Sequence, residues 1–376
     1  MKILFTGSGS GGHFYPIIAV AESMSDTVRE RKLLEPTLYY AAPTPYDRVL
    51  LIANGITFVP TAAGKMRRYF SLLNLVDIFK TGWGVIRAFV RVFFIYPDVV
   101  FGTGGYASFP TILAARFFRI PVVIYAADAV PSRVNLWAGK FARKVAIAFP
   151  EAAHYFPEDR VAHTGAPVRK AALLPAREGM HEFLKLEHNI PVIVILGGSQ
   201  GAQVLNEGVL SALPLLVEKY QVVHQTGEKN FDEVIGRAKV VLENSNHAER
   251  YRPFGYLNDL ALRMAAGAAT IVVSRAGSGS IFEIAAWGLP SILIPIPEPT
   301  SHDQEKNAFA YARSGAAVVI EQNNLTPGLL ISEINRIIGA PELMRHMSER
   351  ARMFARVDAS KTIANALLDI AVSHES

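Results

Sequence analysis

Four glycine-rich turns are the residues of this 376-residue chain best able to do chemistry, each set between an apolar run and a stretch of helical spacing. The first is Thr6-Gly7-Ser8-Gly9-Ser10-Gly11-Gly12-His13. It follows the strand-like Lys2-Ile3-Leu4-Phe5 and precedes Tyr15-Pro16-Ile17-Ile18-Ala19-Val20-Ala21-Glu22, whose spacing predicts a helix with Pro in its first turn. A strand, a glycine turn and a helix start make an anion cradle, because main-chain N–H groups point out of the helix end and no side chains keep a diphosphate away. Glycines 7, 9 and 12 fit the dinucleotide spacing G-x-G-x-x-G, which asks for an acidic residue at the end of the second strand to hold a ribose. That strand reads as Thr37-Leu38-Tyr39-Tyr40-Ala41-Ala42 and runs into Pro43-Thr44-Pro45 with no carboxylate. A phosphate-loop NTPase needs Gly-Lys-Ser/Thr, and here His13 follows Gly12. The loop fits a phosphorylated group while completing neither fingerprint; a plain tight strand–helix turn is the other reading.

The second turn, Gly102-Thr103-Gly104-Gly105-Tyr106-Ala107-Ser108, leaves the run Asp98-Val99-Val100-Phe101 and leads to a helix from Pro110 to Phe118. A third strand end, Tyr125-Ala126-Ala127-Asp128, is expected on the same edge, where open α/β sheets bind ligands. The second half repeats the device with Gly197-Gly198-Ser199-Gln200-Gly201-Ala202 and Arg275-Ala276-Gly277-Ser278-Gly279-Ser280. Small residues at the start of that last helix suit a diphosphate at its positive end. Glu283, about one turn in, can reach a ribose diol or simply offset the helix dipole. His302-Asp303-Gln304-Glu305-Lys306-Asn307 can offer hydrogen bonds to a sugar or form a solvated helix start. No His/Asp/Glu set has metal-ligand spacing, and no G-x-S-x-G nucleophile elbow is present.

Such turns need parallel strands behind them, and apolar runs of four to seven residues do alternate with helical stretches. Strands are predicted over 2–6, 37–42, 57–60, 98–101, 121–125 and 145–148, then over 191–196, 221–225, 270–274, 291–295 and 317–320. No short-period repeat is present, so the pattern describes two α/β halves joined near 160–170, where His163-Thr164-Gly165-Ala166-Pro167-Val168-Arg169 carries turn residues. The length argues for two domains, and a 50% hydrophobic composition lets each bury a core. Cys is absent, which excludes disulfides, thiolate metal sites and cysteine nucleophiles. The chain opens directly in a strand without a signal peptide, so a cytosolic location is expected. The net charge of +5 is uneven: residues 1–165 hold 18 Lys and Arg against 11 Asp and Glu, the remainder 20 against 22. An anionic partner is therefore expected at the first half, and nothing in the pattern supports nucleic acid.

Residues 64–97 suggest what that partner is. Gly64-Lys65-Met66-Arg67-Arg68-Tyr69-Phe70 leads into an apolar stretch from Leu72 to Tyr96, which Lys80, Arg87 and Arg91 interrupt before the roughly 20 apolar residues of a membrane span accumulate. At helical spacing those three cations form one stripe, while Val76, Phe79, Trp83, Ile86, Phe89, Val90 and Phe93 cover most of the remaining circumference. A helix packed on one sheet face needs a narrower apolar arc. Partial insertion at an anionic membrane surface is one reading; a helix buried on both sides within its domain is the other.

Taken in order, the motifs resemble those of the MurG family, the UDP-N-acetylglucosamine–N-acetylmuramyl-(pentapeptide) pyrophosphoryl-undecaprenol N-acetylglucosamine transferases of bacterial cell-wall synthesis. The matching residues are the first loop with Phe14-Tyr15-Pro16, Gly104-Gly105-Tyr106, Gly198-Ser199-Gln200-Gly201 and Ser274-Arg275-Ala276-Gly277. Glu283-Ile284-Ala285, with Gly288-Leu289-Pro290 behind it, and the pair Gln304 and Asn307 complete the set, from about residue 2 to about residue 355. The resemblance implies a GT-B fold of two Rossmann-like parallel-sheet domains facing a cleft. Residues 1–165 would bind the acceptor and the membrane, with a last helix at about 356–376 packed back on them; residues 166–355 would bind UDP-N-acetylglucosamine. It implies an inverting transfer of N-acetylglucosamine to the 4-hydroxyl of undecaprenyl-pyrophosphoryl-N-acetylmuramyl-pentapeptide, without metal or other cofactor. The protein would act peripherally on the cytoplasmic face of the bacterial membrane.

Carried over by motif, Ser10, Gly11, Gly12, Gly104, Gly105, Tyr106 and Asn135 would hold the acceptor diphosphate, with His13 as general base or diphosphate contact. Arg169 and Ser199 would meet donor phosphate or nucleotide, Leu257 the uracil through its main chain, and Tyr256 the face of the base. Ser278, Gly279 and Ser280 would hold the donor diphosphate, Glu283 the ribose, and Asp303, Gln304 and Asn307 the sugar. The resemblance breaks at one point. Where the family has His-Glu-(Gln/Ser)-(Asn/Asp), this chain has Tyr125-Ala126-Ala127-Asp128, so the expected carboxylate is missing and its task would pass to His13 or Asp128, which is also a donor contact by motif. A related UDP-sugar transferase with another lipid acceptor, or a UDP-sugar-binding membrane protein impaired in catalysis, are the alternatives this opens.

Overall fold

The computed structural model describes residues 1–63, 73–198, 202–298, 300–301 and 303–375, without the side chains of residues 73–80 and 375. The chain forms two compact units, residues 1–169 with 356–376, and residues 170–355.

The first unit is built on seven parallel strands: β1 (Lys2–Thr6), β2 (Thr37–Ala42), β3 (Ile56–Pro60), β4 (Val99–Gly102), β5 (Val122–Ala126), β6 (Lys144–Ile147) and β7 (Val161–His163). Their order is β3-β2-β1-β4-β5-β6-β7. The strands read as continuous apolar runs because helices cover both faces of a parallel sheet. Leu4, Val100, Val122 and Ile124 bury one face against Ala88 and Val92 of the helix Leu73–Ile95 and Ile112 of the helix Phe109–Phe117. The direction of winding reverses between β1 and β4, which opens a crevice at their carboxyl ends. Thr6 lies opposite Gly102, and Gly102 opposite Ile124, so the exits of β1, β4 and β5 stand side by side.

The chain returns to this unit through Arg356, and Gly165 is where the outgoing segment passes it. Gly165 has φ +81°, and a Cβ there would stand 2.6 Å from the Arg356 Cβ. The closing helix, Ala359–Glu375, lies on the helix Gly11–Glu30 through buried Ile363, Leu367 and Leu368. Ion pairs of Arg31 with Asp369 at 2.8 Å and Lys361 with Glu30 at 2.7 Å rim the contact. Both are exposed, so apolar burial is what holds the helix down.

The second unit repeats the plan with β8 (Val192–Leu196), β9 (Gln221–Gln225), β10 (Tyr251–Phe254), β11 (Ile271–Ser274), β12 (Ser291–Leu293) and β13 (Ala317–Val319), in the order β10-β9-β8-β11-β12-β13. Alternation along the strands separates two cores. Ile193, Ile195, Val222, Ile271 and Val273 pack on Leu205, Val209 and Leu213. Val192, Val194, Val223 and Val272 pack on Ala261, Ala265, Ile284 and Trp287.

Two features differ from the sequence expectation. The first helix begins at Gly11 rather than at Tyr15, and Pro16 falls in its second turn rather than its first, where it has no N–H to return to the Gly12 carbonyl. Strands β7 and β10 were not foreseen. Both are edge strands, one of three residues and the other containing Pro253, which an edge tolerates because the missing N–H can face outward.

Candidate active site

The loop after β1 delivers Ser10, exposed, as the N-cap of the helix Gly11–Glu30, and its side chain makes no capping bond. The first turn holds no acidic residue, and Gly12 is exposed with nothing within 4 Å of where a Cβ would be. An anion can therefore approach the first N–H groups at the positive end of a 20-residue helix.

The turn after β4 closes over that loop. Gly104 and Gly105 take φ +89° and +79°, which glycine adopts without strain. A Cβ on Gly105 would stand 2.6 Å from the Ser8 side chain and 3.2 Å from His13 Nε2; one on Gly7 would collide with the Thr103 hydroxyl. His13 Nδ1 lies 2.8 Å from the Thr103 carbonyl, and the Thr103 hydroxyl donates to the His13 carbonyl at 2.9 Å. A carbonyl only accepts, so Nδ1 carries the proton in the neutral ring and the lone pair sits on Nε2, beside Gly105. Tyr106 follows in a short 3-10 turn, 37% exposed.

The end of β5 completes the cluster. Asn135, capped by Ser132, donates from Nδ2 to the Tyr125 carbonyl at 3.1 Å. Its Oδ1 is buried without a hydrogen-bond partner and stands 2.8 Å from where a Gly104 Cβ would be. Asp128 is half-buried in the segment just past β5. Ala126, the last residue of β5, is fully buried among Ile124, Ala138 and Ile147. Arg169, expected by motif at the donor, lies in this first unit with its guanidinium 4.3 Å from the centre of the Tyr15 ring.

In the second unit Gly197 and Gly198 leave β8; Ser199, Gln200 and Gly201 lie outside the described residues, as does His302. After β11, Gly277 caps the helix Ser278–Trp287, whose first turn contains no acidic residue. Ser278 is buried, Gly279 exposed, and neither Gly277 nor Gly279 would have a neighbour within 4 Å of a Cβ. Glu283 is half-buried in the second turn. The Gln304 Oε1 accepts the Ile296 N–H at 3.2 Å, and Asp303 beside it is half-buried as the N-cap of Gln304–Arg313. Asn307 is fully buried. Tyr256 is 44% exposed, whereas Leu257 is buried and its N–H donates to Gln225 Oε1 at 3.2 Å.

Sequence reasoning gave no role to Thr103 or Arg275. Arg275, between β11 and the helix Ser278–Trp287, is buried; Nη1 donates to the Ile294 carbonyl at 3.0 Å and Nε is buried without a partner. Burial pushes its pKa down, and among the described residues no carboxylate pairs with it. A buried cation at a sheet's carboxyl edge is a place for an anion. The sequence signal was only an Arg directly after a strand, which a surface position would also give.

The helix Leu73–Ile95 turns Ala88 and Val92 inward and leaves Trp83, Ile86, Val90, Phe93 and Phe94 each at least half exposed. Phe93 meets Phe118 at 5.8 Å between ring centres, and Phe89 meets the exposed Phe117 at 5.1 Å. Arg91, Arg116 and Arg119 are exposed and Arg87 half-exposed. Residues 64–72 and the side chains of Val76, Phe79 and Lys80 lie outside the described part, and no helix of the described residues is long and apolar enough to cross a membrane.

Comparison with known proteins gives two family matches: the glycosyltransferase family 28 N-terminal domain over residues 3–147 and its C-terminal domain over residues 192–363. A UDP-N-acetylglucosamine–N-acetylmuramyl-(pentapeptide) pyrophosphoryl-undecaprenol N-acetylglucosamine transferase of Bacillus cereus is 36% identical, over 89% of this chain and 91% of that one. The transferase of the same name from Halothermothrix orenii is 33% identical over 99% of both. Among solved structures, MurG of Acinetobacter baumannii superposes with a TM-score of 0.72 at 24% identity, covering 98% of this chain and 99% of that one. The UDP-GlcNAc 2-epimerase of Neisseria meningitidis bound to UDP-GlcNAc gives 0.68 at 16% identity, over 98% of this chain and 100% of that one. At those identities the two structures speak for the shared fold alone.

Proposed function

Because the chain belongs to glycosyltransferase family 28, we propose that it transfers N-acetylglucosamine, with inversion, from UDP-N-acetylglucosamine to the 4-hydroxyl of undecaprenyl-pyrophosphoryl-N-acetylmuramyl-pentapeptide. The observation that carries this reading is the likeness, along most of both chains, to transferases named for that donor and that lipid. Labour divides between a first domain, residues 1–165 with the last helix, for the acceptor and a second, residues 166–355, for the donor.

On the acceptor side, the N–H groups of Gly11, Gly12, Gly104 and Gly105 hold the diphosphate, with Ser10, Tyr106 and Asn135 around them. His13 takes the proton of the attacking hydroxyl on Nε2, supported by its tautomer, and Asp128 assists. On the donor side, Ser278, Gly279 and Ser280 present a helix start to the diphosphate. With Arg275 they balance the charge that develops on departing UDP, a task for which no metal is invoked. Tyr256 and Leu257 take the base, Glu283 the ribose, Asp303 and Gln304 the sugar, and Arg169 and Ser199 the phosphates. The exposed aromatic face of Leu73–Ile95 with its arginines docks at the anionic cytoplasmic surface of the membrane, where a polyprenyl acceptor is anchored.

Purified protein is expected to release UDP from UDP-N-acetylglucosamine only when the muramyl-peptide diphosphate lipid is supplied in vesicles. Equal release with a diacylglycerol acceptor would move the assignment to another lipid. The buried Ala126 gives a second reading its one support: tight donor binding with no turnover on any lipid would mark a binding protein that has lost catalysis.

A further inference from the structure

The first unit holds a titratable group where its outgoing and returning segments pass each other. His163 ends β7, half-buried, and its Nε2 donates to the Ala148 carbonyl at 3.0 Å. A carbonyl only accepts, so the neutral ring keeps its lone pair on Nδ1, which is where a second proton goes. Two residues on, Gly165 lies against Arg356: a Cβ at Gly165 would stand 2.6 Å from the Arg356 Cβ and 3.4 Å from its Cδ. The outgoing side of this passage is pinned, because the N–H groups of Thr164 and Gly165 both donate to the Ile147 carbonyl, at 3.1 and 3.2 Å. On the returning side Arg356, Val357 and Asp358 are all exposed ahead of the closing helix. A repulsion between the two sides therefore moves the returning one.

Of the charged groups on the elements packed against His163, two act on its ring. Arg356 opposes protonation, and Glu151, on the turn Pro150–Tyr155, favours it. His154 of that turn is exposed beside Tyr155, and Lys144 opens β6 at the end away from Ile147, the residue opposite His163. Burial, and then Arg356, outweigh the Ala148 carbonyl and Glu151, so the folded ring takes its proton at a lower pH than a free histidine. A ring left by the returning segment is hydrated and away from the guanidinium. It binds the proton more readily, and acid favours that state. We infer that His163 and Arg356 form an acid-sensitive latch, in which proton uptake at Nδ1 sets imidazolium against guanidinium and loosens the returning segment with the closing helix Ala359–Glu375. That helix lies along Gly11–Glu30, whose start is the anion cradle, so the latch ties the support of the cradle to pH.

The test is hydrogen–deuterium exchange of the full-length protein at pH 7.5 and pH 5.5, with labelling times scaled for the intrinsic exchange rate and a thermal melt of each variant to establish folding. Amides of Ala359–Glu375 should lose protection at pH 5.5 by at least about threefold. The ceiling is about tenfold, set by a proton bound at about pH 6.5 in the open state and refused in the closed one. Amides of the central strand β4 should change by less than about twofold, which separates a local opening from general loss of stability. His163→Gln keeps a donor for the Ala148 carbonyl and takes no charge, and should bring the acid response of the closing helix below about twofold. Arg356→Met keeps carbons against Gly165 and removes the cation, and should at least halve the response; it carries the test if His163→Gln does not fold. A wild-type closing helix that keeps its protection at pH 5.5 overturns the latch. So does a response undiminished in either folded variant, or one that β4 shares in full.

Discussion

His13 and Thr103 hold each other by two hydrogen bonds, from the His13 Nδ1 to the Thr103 carbonyl at 2.8 Å and from the Thr103 hydroxyl to the His13 carbonyl at 2.9 Å. The first fixes the tautomer and the second fixes the turn that carries the ring. Thr103 is 1% exposed, so water does not compete for either contact. An imidazole held this way presents one lone pair in one direction, which is what a general base requires. His13→Ala should lower turnover by at least about tenfold, and His13→Gln should do the same, because an amide does not take up a proton at neutral pH. UDP affinity should stay unchanged in both. Turnover within twofold of wild type would take His13 out of the mechanism.

Arg275 separates stability from binding. Its guanidinium is buried with a single side-chain hydrogen bond, to the Ile294 carbonyl, and burial pushes its pKa down. A buried charge held so thinly adds little to the fold, and an apolar residue of similar length often does as well or better. Arg275→Met should therefore melt at or above the wild-type temperature without ligand, while its UDP dissociation constant rises at least about tenfold. Arg275→Lys should recover little of the loss, since an ammonium is a single point charge where a guanidinium offers a planar fork. A lower melting temperature with unchanged UDP affinity would make Arg275 a structural residue.

The parallel sheets were legible in the sequence because strands buried on both faces read as unbroken apolar runs. Val192–Leu196 is five consecutive apolar residues, all buried. The edge strands were not, because β7 is three residues long with none of them buried, and β10 is Tyr-Arg-Pro-Phe, with Tyr251 alone buried. The glycines of the candidate site were visible as a pattern, but their reasons were not. Gly105 is required because Ser8 and His13 approach it, and that closeness depends on the pairing of β1 with β4 across more than ninety residues of sequence. The same distance hid Thr103, and the 19 residues between Arg275 and Ile294 hid Arg275: a residue type has no role until the sheet brings its partner to it.

The second unit also carries a pH dependence. His224 is fully buried, and Asn206 and Tyr251 hold its two ring nitrogens. Asn206 Nδ2 donates to the Thr226 carbonyl at 3.0 Å, which turns Asn206 Oδ1 toward His224 Nε2–H at 3.0 Å; the Tyr251 hydroxyl then donates to Nδ1 at 2.9 Å. The network suits a neutral ring, and burial lowers the pKa from 6.5 to about 3. The unfolded chain takes up the proton below about pH 6.5, which the folded chain refuses until far lower. The stabilisation is complete above pH 6.5 and is lost as the pH falls toward 3, at about 1.4 kcal/mol per unit. Denaturant unfolding at pH 7.5 and pH 5 should show His224→Gln less stable than wild type at the higher pH. Its loss on acidification should be smaller than the wild-type loss by about 2 kcal/mol. Equal losses would mean that the ring is not neutral in the fold.

Ala126 decides between an altered mechanism and an impaired one. The resemblance puts a carboxylate at this position, yet the residue is fully buried, with Ile124, Ala138 and Ile147 around it, and its carbonyl accepts the Ala148 N–H at 3.0 Å. A Glu introduced here would bring a carboxylate into an apolar layer, where desolvation raises its pKa and costs several kcal/mol unless donors are met. In a unit of this size each kcal/mol lowers the melting temperature by about 2–4 °C. Ala126→Glu should therefore melt at least about 5 °C below wild type and gain no turnover, because this packing has closed the position to chemistry. In that case proton transfer rests with His13. A melt unchanged and a turnover raised tenfold would show instead that a carboxylate at 126 reaches the acceptor, and that the alanine had removed a catalytic group from an otherwise complete site.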